Sequence, residues 1–183
     1  MVLRVGLVCL GLLSLVLALV VSLGKDPEEL VFADLPPLTG PVILTVSGAF
    51  ERAPDQGEMA FDMAMLRALD DSAFSTSTIW TDGIHRFSGV SLHLLAAYLG
   101  VAEGAVLKFE AINDYLIEVP VSDAVSDGPI IAYAMDGAPM SIRERGPLWL
   151  IYPYDSDPDY QSEIIYTRSI WQLKHIEVSH SDG

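Results

Sequence analysis

Alternating apolar and polar positions divide most of the chain into short predicted strands. β-branched and aromatic residues dominate these segments, and Gly, Pro, Asn and Asp separate them. Thr81-Asp82-Gly83 has turn chemistry after the third strand, and Asp136-Gly137 is a strong hairpin signal. The predicted strands are Val42–Val46, Ala60–Asp62, Phe74–Trp80, Val106–Ala111, Tyr115–Val121, Ile130–Met135, Leu148–Tyr152 and Ile170–Val178.

Two segments carry the spacing of amphipathic helices instead. Asp62 is the predicted N-cap of a helix that places Leu66 and Leu69 on one apolar face. Ser91 is the predicted N-cap of a second, Leu-rich helix, which Gly100 ends. A few short helices against many strands predict an α+β fold, mostly β, with mixed sheets and two to three short helices.

The N-terminus is a single long apolar run. Arg4 precedes it, the run extends from Val5 to about Val21, and polar residues begin at Lys25. A length of about 17 residues is at the border between a cleaved signal peptide and a short membrane anchor. We therefore expect residues 1–24 to be a signal peptide or N-terminal anchor, residues 25–41 a Pro-containing linker, and residues 42–183 one folded domain. The protein is expected to be periplasmic or otherwise exported, with the signal peptide cleaved or kept as an anchor.

Charge and cysteine content narrow the functions available to that domain. The chain has 25 Asp and Glu against 10 Lys and Arg, for a net charge of −15. Such a surface repels phosphate backbones, so we expect no nucleic acid partner. The single cysteine, Cys9, lies in the N-terminal apolar run, so the folded domain has no thiolate to bind a metal or attack a substrate.

Motifs for metal binding and nucleophilic catalysis are absent from the sequence. The four histidines show neither HExxH nor His-x-His spacing, and there is no CxxC or G-x-S-x-G. The acidic stretch Asp155–Asp159 lacks the glycine and the closing glutamate of an EF-hand loop. We therefore predict no catalytic and no metal-binding residue. The spacing of carboxylates along the sequence does not by itself exclude a hydrolase, because catalytic separation is set by the fold.

Three spaced motifs occupy the C-terminal half, namely Ile131–Met140, Arg145–Pro153 and Ser169–Val178, and Phe87–Leu92 precedes them at the second helix. In this order they resemble the molybdopterin-binding domain of the sulfite oxidase family over roughly residues 41–178. In that family a cysteine shortly before this helix supplies a thiolate to molybdenum. The matching stretch here, Thr76–Gly83, contains no cysteine.

The chain is more similar to small exported members of this fold that resemble pterin-binding regulators. Those proteins sense a pterin outside the inner membrane and act on a membrane-bound cyclic-di-GMP enzyme. The resemblance implies a non-catalytic periplasmic sensor with a pterin as its ligand and an inner-membrane signalling protein as its partner. Molybdopterin itself is not expected, because few basic residues are present to hold its phosphate. The alternatives are a molybdopterin-dependent oxidoreductase with an oxygen ligand such as Asp82, and a structural module without a ligand.

A pterin is a flat ring with a guanidine-like edge, which needs stacking partners, hydrogen-bond acceptors and a donor. An aromatic beside an exposed loop serves for stacking, although most tryptophans are core residues, and a loop arginine serves equally well as a donor or as a surface ion pair. The candidate pterin-binding residues are Trp80, Tyr154 and Trp171 for stacking, Asp82, Glu110, Asp114 and Asp155 as acceptors, and His85, Asn113 and Arg145 as donors.

Overall fold

The computed structural model describes residues 34–54 and 57–180. These residues belong to one compact unit, Val31–Gly183. The predicted signal peptide or anchor, and most of the predicted linker, lie outside the described residues. Within the described ranges, every helix is too short or too polar to cross a membrane.

Ten strands and three α-helices form the domain. The helices are α1 (Met63–Leu69), α2 (Leu92–Leu99) and α3 (Glu163–Arg168). Single 3₁₀ turns cover Val121–Asp123, Ile142–Glu144 and Pro158–Tyr160. The strands are β1 (Leu44–Gly48), β2 (Glu58–Phe61), β3 (Ser72–Thr78), β4 (Thr81–Ser91), β5 (Ala105–Ala111), β6 (Leu116–Pro120), β7 (Ile130–Met135), β8 (Ala138–Pro139), β9 (Trp149–Ile151) and β10 (Leu173–His180).

The strands form two mixed or antiparallel sheets. The first has the order β2-β1-β10-β5-β6, in which β1 and β10 run parallel and the other pairs are antiparallel. The second has the order β3-β4-β7-β8, and β9 also pairs with β7. The prediction of an α+β fold, mostly β with short helices, is confirmed.

Burial follows the sequence pattern closely. Strand β5 alternates, with Leu107 and Phe109 buried and Lys108 between them half-buried, as expected for a sheet with one solvated face. Residues 130–134 of β7 are all buried, because this central strand is covered on both faces. Side chains from both sheets and from all three helices join one continuous core.

The two predicted helix starts are confirmed in atomic detail. The Asp62 carboxylate accepts a hydrogen bond from the Met65 N–H at 2.9 Å, and the Ser91 hydroxyl accepts one from the Leu94 N–H at 3.4 Å. Gly100 ends α2 in the left-handed conformation, with φ 71°, which a glycine adopts without a steric penalty. Asp62 also accepts hydrogen bonds from the Thr39 and Gly40 N–H groups, so it ties the entry segment to the domain.

Two local predictions were wrong. The residues Thr81-Asp82-Gly83 do not form the turn; the chain turns at residues 79–80, and β4 already begins at Thr81. A register shift between β3 and β4 accommodates Asp82 and Gly83 inside the hairpin. Helix α3 was also missed, since the sequence was read as a continuous acidic loop followed by a strand.

Candidate functional site

A cluster of aromatic rings surrounds Trp80, which lies in the turn between β3 and β4. Its ring centroid is 5.7 Å from Trp171, 5.8 Å from Trp149, 5.9 Å from Tyr166 and 6.2 Å from Tyr154, all in edge-to-face geometry. Such pairs stabilise a fold beyond the area they bury. Trp149 is fully buried, whereas Trp171 is 36% exposed, so the cluster extends from the core to the surface.

A cleft of about 320 Å³ opens beside this cluster. Three parts of the chain build it: the β3–β4 turn, the segment that follows β5, and the segment from α3 to the start of β10. None of the lining residues is charged. They are Trp80, Ala111, Asn113, Tyr115, Tyr166, Thr167, Ser169, Ile170 and Trp171.

The cleft lining carries neutral polar groups. The Asn113 Oδ1 atom accepts a hydrogen bond from the Tyr115 N–H at 3.3 Å, which leaves its amide NH₂ group as a donor. The hydroxyls of Thr167 and Ser169 donate to backbone carbonyls of α3, those of Glu163 and Ile165. The groups that line the cleft are therefore aromatic rings and uncharged hydrogen-bonding groups.

Arg145 lies behind the indole walls of the cleft. Its Nη2 atom donates a hydrogen bond to the Trp80 carbonyl at 2.7 Å. Its guanidinium carbon is 5.3 Å from the Trp149 ring centroid and 5.8 Å from that of Trp171, within cation–π range. Arg145 therefore contacts both lining tryptophans but is absent from the lining itself.

Tyr154 belongs to the aromatic cluster but is 2% exposed. Its hydroxyl donates a hydrogen bond to the Ser169 Oγ atom at 2.6 Å, and burial raises the pKa of this phenol. Tyr154 supports the floor of the cluster, whereas Trp80 and Trp171 form the accessible stacking surfaces.

Three of the predicted acceptors are bonded to protein groups outside the cleft lining. Asp155 accepts hydrogen bonds from the Ser77 N–H and hydroxyl at 2.6 and 2.7 Å, and these bonds lower the pKa of its carboxyl group. Glu110 and Asp114 both contact Lys174, at 3.0 and 2.8 Å. The hydrogen bond and charge of Lys174 lower the pKa of Asp114, and the two carboxylates raise that of Lys174.

Asp82 and His85 lie together on β4, away from the cleft lining. The His85 Nε2 atom is 2.9 Å from the Asp82 carbonyl, and its Nδ1 atom is 2.7 Å from the Asp136 carboxylate. Both partners are acceptors, so the doubly protonated ring satisfies both. The hydrogen bond to Asp136 is the main cause of the raised pKa of His85.

The structure thus brings Trp80, Asn113 and Trp171 into the cleft wall, with Arg145 and Tyr154 directly behind it. Sequence reasoning missed Tyr115 and Tyr166, the two remaining aromatic rings of the lining. Tyr115 was included in a predicted strand, and Tyr166 lies in the unpredicted helix α3. An aromatic next to the Asn113-Asp114 turn was the available signal for Tyr115.

Two comparisons with known proteins give matches. A family model described as "Oxidoreductase molybdopterin binding domain" matches residues 62–181, more than half of the chain. The crystal structure of the sulfane dehydrogenase SoxCD from Paracoccus pantotrophus superposes with a TM-score of 0.55 at 18% identity. The match covers 74% of this chain and 37% of the SoxCD chain, so this chain corresponds to about a third of that one. No curated protein matches the sequence.

The side chains present do not fit a molybdenum cofactor. Among residues 34–54 and 57–180, no three His, Cys, Asp or Glu side chains come together as a metal-binding group. In the stretch Thr76–Gly83, Ser77 is bonded to Asp155, and the hydroxyls of Thr78 and Thr81 are bonded to each other at 2.8 Å. No Lys or Arg lines the cleft to hold a phosphate.

The fold matches the family even though the described residues contain no group of metal ligands. The aromatic cleft lies within residues 62–181, and its walls come from the same strands and helix that the family model covers. By the extent of that match, the chain belongs to the oxidoreductase molybdopterin-binding domain family, with the fold of the sulfite oxidase type.

Proposed function

We propose that this protein is a non-catalytic pterin-binding member of its family and that the aromatic cleft is its binding site. The observation that carries the proposal is the lining itself: four aromatic rings, two of them phenols, an amide and two aliphatic hydroxyls, with no charged side chain and no thiol. A pterin without a phosphate tail is flat and uncharged near neutral pH. It therefore matches this lining in shape and in charge.

Stacking supplies the main affinity in this proposal. A nucleobase stacked on an aromatic side chain gains about 1–3 kcal/mol, and the fused ring of a pterin offers a comparable flat surface. The cleft volume of about 320 Å³ lies at the lower end of the range for small-molecule sites, which suits a single bicyclic ring. The Asn113 amide and the hydroxyls of Tyr115 and Tyr166 are the proposed partners for the polar edge of the ring.

The charge distribution favours a simple pterin over the complete cofactor. Lys or Arg contacts favour a phosphorylated ligand, and Arg145, the cation next to the wall, already donates to the Trp80 carbonyl. The two carboxylates nearest in sequence to Asn113 are paired with Lys174. For these reasons the alternative, an oxidoreductase that binds molybdopterin through an oxygen ligand, is less well supported.

We further propose that the protein acts outside the inner membrane and relays pterin binding to a membrane-bound signalling partner. The support is the apolar N-terminal run with Arg4 before it, together with the absence of a redox ligand set. A fusion of the full-length chain to a reporter that is active only after export tests the location. Reporter activity is expected, and activity only in a cytoplasmic reporter would contradict this part of the proposal.

Titration of the purified domain with pterins tests the ligand. Trp80 and Trp171 line the cleft, so a bound ring is expected to quench the intrinsic fluorescence, with calorimetry as an independent measurement. Trp171→Ala is expected to weaken binding by about fivefold to a hundredfold, because it removes one stacking surface. Ile84→Ala is the matched control, since Ile84 is a 70% exposed apolar side chain outside the cleft.

Two results would contradict the proposal. If titration with reduced and oxidised pterins at concentrations well above micromolar gives no signal change, pterins are not the ligand. Stoichiometric molybdenum in folded protein purified from cells grown with molybdate would favour the oxidoreductase alternative instead.

A further inference from the structure

Arg145 occupies an unusual backbone position beside the cleft. Its φ is 72°, in the left-handed region, and Gln172, opposite it, has a φ of 54°. This region is unfavourable for a residue with a Cβ, and such residues persist where the surrounding contacts require them. Arg145 and Gln172 both adopt this region next to the cleft, and a hydrogen bond joins their backbones. The contacts around them therefore hold the backbone in an unfavourable conformation.

The backbone around Arg145 is tied to Gln172, the residue that follows Trp171. The Gln172 N–H donates to the Arg145 carbonyl at 3.0 Å, and the Gln172 side chain donates to the Ile142 carbonyl at 2.8 Å. Trp149 and Trp171 also form an isolated antiparallel bridge. The segment Ile142–Arg145 is therefore fixed against the backbone that carries Trp171.

The Arg145 guanidinium also contacts Trp80, in the other wall of the cleft. It donates to the Trp80 carbonyl and lies over the Trp149 and Trp171 rings at 5.3 and 5.8 Å. Trp80 and Trp171 themselves meet at an interplanar angle of 86°. One planar cation thus contacts the backbone of the first indole and the ring of the second.

We propose that Arg145 is the positioning residue of the cleft: it sets Trp80 and Trp171 at their near-perpendicular angle from behind and does not touch the bound ring. This proposal rests on the proposed pterin site. It differs from a direct role for Arg145 as a donor to the ligand, because Arg145 is not among the residues that line the cleft. A positioning role predicts that affinity depends on Arg145 equally for neutral and anionic ligands.

Arg145→Gly is the informative variant. Glycine adopts a φ of 72° without penalty, so the backbone strain is relieved while the guanidinium is removed. Asp127→Gly is the matched control, because Asp127 is exposed, has a φ of 57° and lies outside the cleft lining. Arg145→Lys keeps the positive charge and a donor but loses the planar face.

Two measurements separate the possible outcomes. Near-ultraviolet circular dichroism of the ligand-free protein reports the packing of the indoles and needs no ligand. Fluorescence titrations with 6-methylpterin, which is neutral, and pterin-6-carboxylate, which is anionic, report affinity. Arg145→Gly is expected to change the indole spectrum and to weaken both probes by a similar factor of about ten, with Arg145→Lys intermediate. Asp127→Gly is expected to leave the spectrum and both affinities at wild-type values.

An unchanged indole spectrum in folded Arg145→Gly would overturn the positioning role. A loss confined to pterin-6-carboxylate would overturn it as well, in favour of direct contact with the ligand. If the wild-type protein binds neither probe, the proposed function fails, yet the spectrum of Arg145→Gly still decides whether Arg145 positions the indoles.

Discussion

Trp80→Ala is the most direct test of how the cleft is built. The substitution removes four edge-to-face ring contacts, to Trp149, Trp171, Tyr154 and Tyr166. Truncation of a buried large aromatic to alanine costs about 3–5 kcal/mol. Trp80 is half-buried and already borders open space, so no closed cavity results and we expect a loss of about 3 kcal/mol, the low end of that range.

The hydrogen bond from Arg145 to residue 80 is kept in Trp80→Ala. Its acceptor is the backbone carbonyl, which Trp80→Ala retains, so the measured loss belongs to the indole ring. Urea unfolding followed by circular dichroism gives the free energy of unfolding, provided that the slope m is unchanged. Trp80→Phe is the control and is expected to recover more than half of the loss. A loss below about 1 kcal/mol in Trp80→Ala would show that the aromatic cluster contributes little to packing.

Three further predictions concern charged groups. A hydrogen bond from the Met65 N–H is the main cause of the lowered pKa of Asp62, so the stability that this carboxylate contributes is present at neutral pH and lost as the pH falls below about 4. The difference in free energy of unfolding between wild type and Asp62→Asn should therefore shrink on acidification. A constant difference in urea midpoints would contradict this. His85 has a raised pKa, so the stability that its imidazolium contributes is present below about pH 6.5 and lost as the pH rises through the folded-state pKa. His85→Leu should therefore flatten the fall in the free energy of unfolding between about pH 6 and 9. An equally steep fall in the variant would show that His85 is not the group responsible. Lys174→Met removes the ion pairs to Glu110 and Asp114 and should loosen the segment that carries Asn113 and Tyr115, so pterin affinity should fall. Because salt screens these ion pairs, we expect added salt to weaken pterin binding by the wild type and to leave binding by the variant unchanged.

The parts of the fold that sequence reasoning predicted are those with local signals. Asp62 and Ser91 each precede an apolar helical face, and a short polar side chain at that place caps a helix whatever surrounds it. Asp136-Gly137 forms the predicted hairpin turn, with φ values of 51° and 79°. Helix α3 has only six residues, fewer than two full turns, so it carries too little periodicity to be distinguished from a loop.

The site was predictable only in part, since it depends on contacts between distant segments. Trp80 and Trp171 were identified from their position beside predicted loops, and the fold brings them to a centroid distance of 5.7 Å. Glu110 and Asp114 are neighbours of Asn113 in sequence but contact Lys174 instead. The register of β10 against β5 shifts between Leu173 and His175, at the residue whose ammonium group these carboxylates contact. A register shift between distant strands leaves no local signal in the sequence.

Three charged residues near the cleft share one arrangement that the composition did not indicate. They contact segments that carry part of the wall: Arg145 contacts the Trp80 backbone, Lys174 contacts Asp114 between Asn113 and Tyr115, and Asp155 contacts Ser77 in the strand that leads to Trp80. Because these charges are bonded to protein groups and are absent from the lining, the proposed pterin would depend on them only through the positions of the aromatic rings. An acidic domain can in this way offer an uncharged surface to a flat heterocycle. Of the four carboxylates predicted as acceptors, Glu110, Asp114 and Asp155 make such supporting contacts, whereas Asp82 lies on β4 away from the lining.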